Sequence, residues 1–258
     1  MPSPLPQFLI LLAGCPRVFA LVALAPGFNA GAIPPVVRVT LAAALAFALS
    51  PLIATANPAI LDLTPQAYLA LLLSEAVLGA IIGFVLSCLL ESARLGGEVV
   101  DMQIGFSASA MYDPATSVSS SLLGAFWYLA ALVFFFTLNG HHWLLGGLMR
   151  SFELCPVGAL VYGKALTTLA VQVVAVLFTL APQLAAPVVA TLLLADLALG
   201  LIGRSMPQMN LMLVGMPGKI LVGLAALAAC SPMMATAFGR MMDNFQYYLL
   251  AVIKAVGA

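Results

Sequence analysis

Two carboxylates, Glu75 and Asp196, stand alone in long apolar stretches. A charged side chain at membrane depth costs at least ~2.5 kcal/mol, so each is read as a buried charge that is paired or carries a proton. For Asp196 the candidate counter-ions are Arg204, Lys219 or a cation from a partner. A second group, Glu91, Arg94, Glu98 and Asp101, is spaced by three and four residues and falls on one helical face. That face needs water, a partner or a polar lumen, and a solvated helix end with Glu91–Arg94 and Arg94–Glu98 pairs is the other reading. His141 and His142 are adjacent, hence about 100° apart on a helix. They do not make the one-face pair a metal site needs, and no metal is expected. Cys15, Cys88, Cys155 and Cys230 are far apart in apolar surroundings and read as small buried hydrophobes. There is no G-x-S-x-G, no H-E-x-x-H and no phosphate-cradling glycine loop. The expectation is a protein that is not an enzyme and needs no cofactor.

The elements that must position these residues follow from the composition. Of 258 residues, 64% are hydrophobic and 7% charged, with nine basic and nine acidic side chains. Soluble domains are about 25% charged, so the solvent must be a bilayer or a large apolar assembly. A net charge of zero argues against nucleic acid, which needs a basic face. The opening Met-Pro-Ser-Pro-Leu-Pro has no positive n-region, so the first apolar stretch is expected to stay in the mature protein. Charge-free runs and the lack of period-two alternation predict an all-α polytopic membrane protein of long kinked helices and helical hairpins. Helices are expected near 7–25, 38–56, 66–105, 121–149, 163–204 and 217–255. The basic residues are scattered along the chain and give no orientation.

Three further segments carry information. Gly79, Gly83 and Ser87 recur every four residues and stack on one helix face, where a neighbouring helix can reach backbone contact. Internal packing and a subunit contact are both open. Phe106 to Ser121 joins two apolar helices with small polar residues and a turn at Asp113-Pro114. It is either a water-exposed connection or a loop inside a pore, since irregular backbone at membrane depth survives only in protein or along a cavity. Residues 196–219 read as a helical hairpin whose Pro/Gly/Asn-rich tip holds Pro207, Gln208 and Asn210 and is rich in methionine. Met makes adaptable contacts, so the tip is a surface turn or a subunit contact.

The order of these segments resembles the flagellar biosynthetic protein R family and its type III secretion relative, the export-apparatus T component. The matching stretches are Glu75…Gly79…Gly83, Gly97-Glu98 followed by Gln103-Ile-Gly105, Asp113-Pro114, Leu138-Asn-Gly-His141, and Pro207-Gln-Met-Asn210 through Gly215-Met-Pro217. They cover nearly the whole chain from about Pro6, and Asn139-Gly140-His141 with Trp143 looks more like the flagellar branch.

The resemblance implies a subunit of the flagellar export gate, in the inner membrane at the basal body. Its implied partners are the flagellar P and Q proteins, the B and A export components, and unfolded polypeptides in transit. It implies a P-like part over residues 1–165 and a Q-like hairpin over 166–258. A plug loop is implied at about 106–121, with Phe106, Met111, Tyr112, Asp113, Pro114, Ser117, Ser119 and Ser120 in gating roles. Gly79, Gly83, Ser87, Glu91, Arg94, Glu98, Asp101, Pro207, Gln208 and Asn210 are expected at subunit contacts. The alternatives are a virulence-type injectisome subunit and a stand-alone secondary transporter using Glu75 and Asp196. The two halves show no matching pair of broken helices, which speaks against a transporter with inverted repeats.

Overall fold

The computed structural model describes residues 4–27, 33–54, 60–61, 63–106, 121–159, 164–206 and 211–256. Among them the regular elements are eight helices: α1 (Pro4–Leu24), α2 (Pro35–Ala48), α3 (Ser50–Ile53), α4 (Pro65–Ile104), α5 (Leu122–Thr137), α6 (Gly140–Leu154), α7 (Lys164–Ser205) and α8 (Leu211–Val256). The fold is all-α. Helices α4, α7 and α8 are each long and apolar enough to cross a membrane, and α5 with α6 makes a fourth span if that broken pair counts as one. Prolines open α2 and α4, where a missing N–H costs no helical hydrogen bond. Gly105, with φ 98°, stops α4, and its N–H and that of Phe106 both donate to the Asp101 carbonyl.

The helix boundaries differ from expectation at three places. The expected 38–56 helix breaks at Leu49, because Pro51 fits the first turn of a new helix but not the interior of an old one. The expected 121–149 helix breaks at Leu138–Asn139 and its second half runs on to Leu154. Asn139 adopts the left-handed region at φ 57°, which asparagine tolerates better than most residues. Helix α8 starts at Leu211, ahead of the expected 217, and carries Pro217 inside it.

The chain forms two compact units that interleave along the sequence. The first comprises Met1–Leu89, Phe135–Ala175 and Met242–Ala258. Its core includes Val18, Leu21, Ile53, Leu78, Ile82, Phe152, Phe245 and Leu249. Helix α1 lies on α4 so closely that a Cβ on Gly79 would collide with the Arg17 carbonyl. On the same face Ser87 Oγ donates to the Leu24 carbonyl at 2.7 Å. Gly79, Gly83 and Ser87 therefore face α1 within the chain.

The second unit comprises Leu90–Phe134 and Val176–Met241. A Cβ on Gly97 would come within 2.5 Å of the Leu123 carbonyl, so α4 and α5 meet at backbone distance. Contacts between Leu199 and Gly215, Asp196 and Lys219, and Leu192 and Gly223 step in opposite directions along the two helices, which makes α7 and α8 an antiparallel pair. Trp127 is fully buried, and Phe134 packs on Phe238 with ring centroids 5.3 Å apart.

Candidate functional site

In the first unit Glu75 is fully buried and so is its partner Arg17. The guanidinium lies 2.6 Å from Glu75 Oε2 through Nη2 and donates to the same oxygen through Nε at 2.8 Å. Its remaining N–H groups donate to the Ser151 carbonyl at 2.9 Å, the Ser151 hydroxyl at 3.2 Å and the Cys155 carbonyl at 3.1 Å. The other Glu75 oxygen accepts the Gly158 N–H at 3.0 Å, and the Phe152 ring stacks on the guanidinium at 4.2 Å. A buried ion pair persists when extra hydrogen bonds satisfy what the pair leaves over, and every acceptor here is supplied by this chain. The arrangement ties α1, α4, the end of α6 and the turn after it into one junction. Both Glu75 oxygens are spent on partners within the chain.

The second unit presents its charges differently. Arg94 bridges Glu98 at 3.0 Å and Glu91 at 3.5 Å, with the Arg94 and Glu91 side chains 51% and 41% exposed. These three line a cavity of about 650 Å³ together with Ser121, Ala125, Tyr128 and Leu129. Asp101, the fourth member of the expected face, is buried instead and accepts the Leu123 N–H at 3.4 Å. A carboxylate at the start of α5 meets the positive end of the helix dipole and one of its unpaired N–H groups. Ser121 caps the same turn, accepting the Gly124 N–H at 2.9 Å. The residues flanking 106–121 are thus fixed to each other: Asp101 and Gly97 on one side, Ser121, Leu123 and Gly124 on the other.

Asp196 was expected to be buried, yet its side chain is 40% exposed. Lys219 reaches it at 2.8 Å and Gln103 donates to Oδ2 at 3.2 Å, so one carboxylate joins α4, α7 and α8. Arg204, the other intrachain candidate, is exposed. The His141 and His142 rings lie 4.2 Å apart, and among the described residues no set of three or more potential metal ligands gathers. Phe106 is described as the residue that follows the α4 stop. Met111, Tyr112, Asp113, Pro114, Ser117, Ser119, Ser120, Pro207, Gln208 and Asn210 lie outside the described residues.

Sequence reasoning missed Arg17 and Tyr128. Arg17 was counted only among the scattered basic residues. A lone cation inside an apolar helix calls for a counter-ion, and the lone acid Glu75 was available by the same logic. Tyr128 gave no sequence signal, since its place in the cavity depends on how closely α5 approaches α4.

Residues 8–245 match the family described as bacterial export proteins, family 1. The chain is 32% identical over 213 residues to the flagellar biosynthetic protein FliR of Caulobacter vibrioides, covering 82% of this chain and 84% of that protein. It is 30% identical over 221 residues to the protein of that name in Escherichia coli (strain K12), covering 85% and 83%. With that of Bacillus subtilis (strain 168) it shares 36% identity over 166 residues, a match that spans 63% of this chain and 64% of that relative.

Proposed function

The chain belongs to the FliR family of bacterial export proteins, family 1, and from that premise we propose that it helps form and seal the channel of the flagellar type III export gate. It is an integral membrane component of the flagellar export apparatus and not an enzyme. In the proposed role it sits in the inner membrane at the basal body and assembles with the flagellar P and Q proteins, next to the B and A components. Unfolded flagellar polypeptides pass through the assembly, driven by energy supplied elsewhere. Residues 1–165 act as the P-like part and 166–258, which hold the α7–α8 pair, as the Q-like hairpin.

The observation that carries this reading is the family match across residues 8–245. The sealing role has separate support. Asp101 accepts the Leu123 N–H and Gly97 meets Leu123 at backbone distance, so the end of α4 lies against the start of α5. The Ala and Ser side chains of segment 106–121 are small, so displacing it is expected to cost little packing energy. An incoming chain that replaces its contacts shifts the population towards the open state.

The test is deletion of residues 110–118 within a complete gate. The expected outcome is an assembled complex that leaks ions or small solutes, read as conductance or as growth inhibition by those solutes. A tight membrane with the complex confirmed assembled would show that this loop is not the seal.

A further inference from the structure

The cavity beside Arg94 holds two carboxylates and one guanidinium, so one negative charge is left over. The cavity is lined by no second cation among the described residues: Lys219 is taken by Asp196, and the other lining residues are Ser121, Ala125, Tyr128 and Leu129. Asp101, one turn further on, is turned into the start of α5 and adds nothing to the cavity. Beside it runs an apolar ridge on α5, with Leu122, Phe126, Leu129 and Val133 all exposed at helical spacing. Lipid tails would cover this ridge and leave the carboxylates unsolvated. Water would solvate the carboxylates and leave the ridge bare. An apolar helix that carries a lysine or arginine satisfies both, and a cavity of about 650 Å³ has room for that side chain.

We propose that the Glu91–Arg94–Glu98 cavity is the seat of a lysine or arginine from an apolar helix of a neighbouring export-gate subunit. This rests on the export-gate reading above and adds to it a residue type and a place. The incoming cation lies between Glu91 and Glu98, shares them with Arg94, and is faced by the Tyr128 side chain across the cavity. Its apolar neighbours cover Phe126, Leu129 and Val133.

A photo-crosslinking amino acid, p-benzoylphenylalanine, placed at Ala125 in the full gate in native membranes tests this directly. The expected adduct is to a polypeptide segment with a lysine or arginine within one helical turn of the linked residue. Adducts only to lipid, or to segments without a basic residue, would overturn the proposal. In the same background, Glu91→Gln with Glu98→Gln should lower the adduct yield about tenfold, as expected for removing one side of a desolvated charge contact. Glu98→Lys should abolish it, and changing the mapped basic residue to glutamate should restore it. Unchanged yield in the double glutamine variant overturns the idea, as does yield lost in Arg94→Gln but kept in the double variant, which points to an acidic partner. Yields are compared at equal amounts of membrane-inserted chain, and the single Glu98→Gln serves if the double variant does not accumulate. If the mapped partner is not an export-gate protein, the export-gate reading fails while the basic-residue seat stands.

Discussion

Glu75 and Glu98 sit on the same helix and carry the same side chain, yet they are satisfied in opposite ways. Glu75 is closed off from solvent, held by a guanidinium and a backbone N–H that this chain supplies. Glu98 is partly exposed and shares the Arg94 guanidinium with Glu91. The difference lies in the helix opposite. Against the Glu75 turn α1 packs to backbone contact and brings Arg17 with it, whereas α5 approaches the Glu98 turn at Gly97 and Gly124 and leaves a cavity. A charge in an apolar helix is thus a closed internal lock where a neighbouring helix delivers the counter-ion. It is an open contact where none does.

The lock should be the more costly to break. Arg17→Leu leaves the Glu75 carboxylate buried without its cation, a change worth about 3–5 kcal/mol. The chain should then lose most of its accumulation in the membrane, measured by immunoblot and limited proteolysis. Arg17→Met with Glu75→Leu removes both charges and should recover much of that loss. Failure of the double variant to improve on either single one would mean the pair does more than satisfy itself.

Gly79→Ala probes the same lock through its backbone. The added methyl meets the Arg17 carbonyl, so α1 must shift, at about 1–3 kcal/mol for an overpacked contact. Thermal aggregation of the detergent-solubilised gate should begin at lower temperature. An unchanged midpoint would show that α1 has room to move.

Lys219→Met breaks a partly exposed pair and should cost about 1 kcal/mol or less. Smallest of all, Glu91→Gln should change the stability of the isolated chain by only a few tenths of a kcal/mol, since its exposed contact with Arg94 is long. A large loss from Glu91→Gln in the chain alone, by the same proteolysis assay, would erase the contrast between lock and open contact.

Much of the fold was legible because it is written in local chemistry. The 66–105 expectation lies within one residue of α4 at each end, since Pro65 starts it and Gly105 stops it. Asn139-Gly140 is a turn-prone pair, but a continuous apolar run on both sides hid the break in the helix. The site was less legible for a different reason. Arg17 and Glu75 are 58 residues apart, and nothing in the spacing of either names the other. Asp101 fitted the face of Glu91 and Glu98 by periodicity. The close approach at Gly97 took it off that face and turned it to α5, which a single helix cannot foretell.

The Arg17 junction also sets an order in time. The guanidinium takes its last acceptors from Ser151 and Cys155, which follow it by 134 and 138 residues. At about 5–20 residues per second of synthesis, roughly 7–28 s pass between the making of the cation and the making of those acceptors. Glu75, 58 residues after Arg17, arrives earlier in that interval and supplies the counter-ion, while the Ser151 and Cys155 hydrogen bonds wait for its end. Helix α1 therefore completes its set of partners only when the turn after α6 has been made.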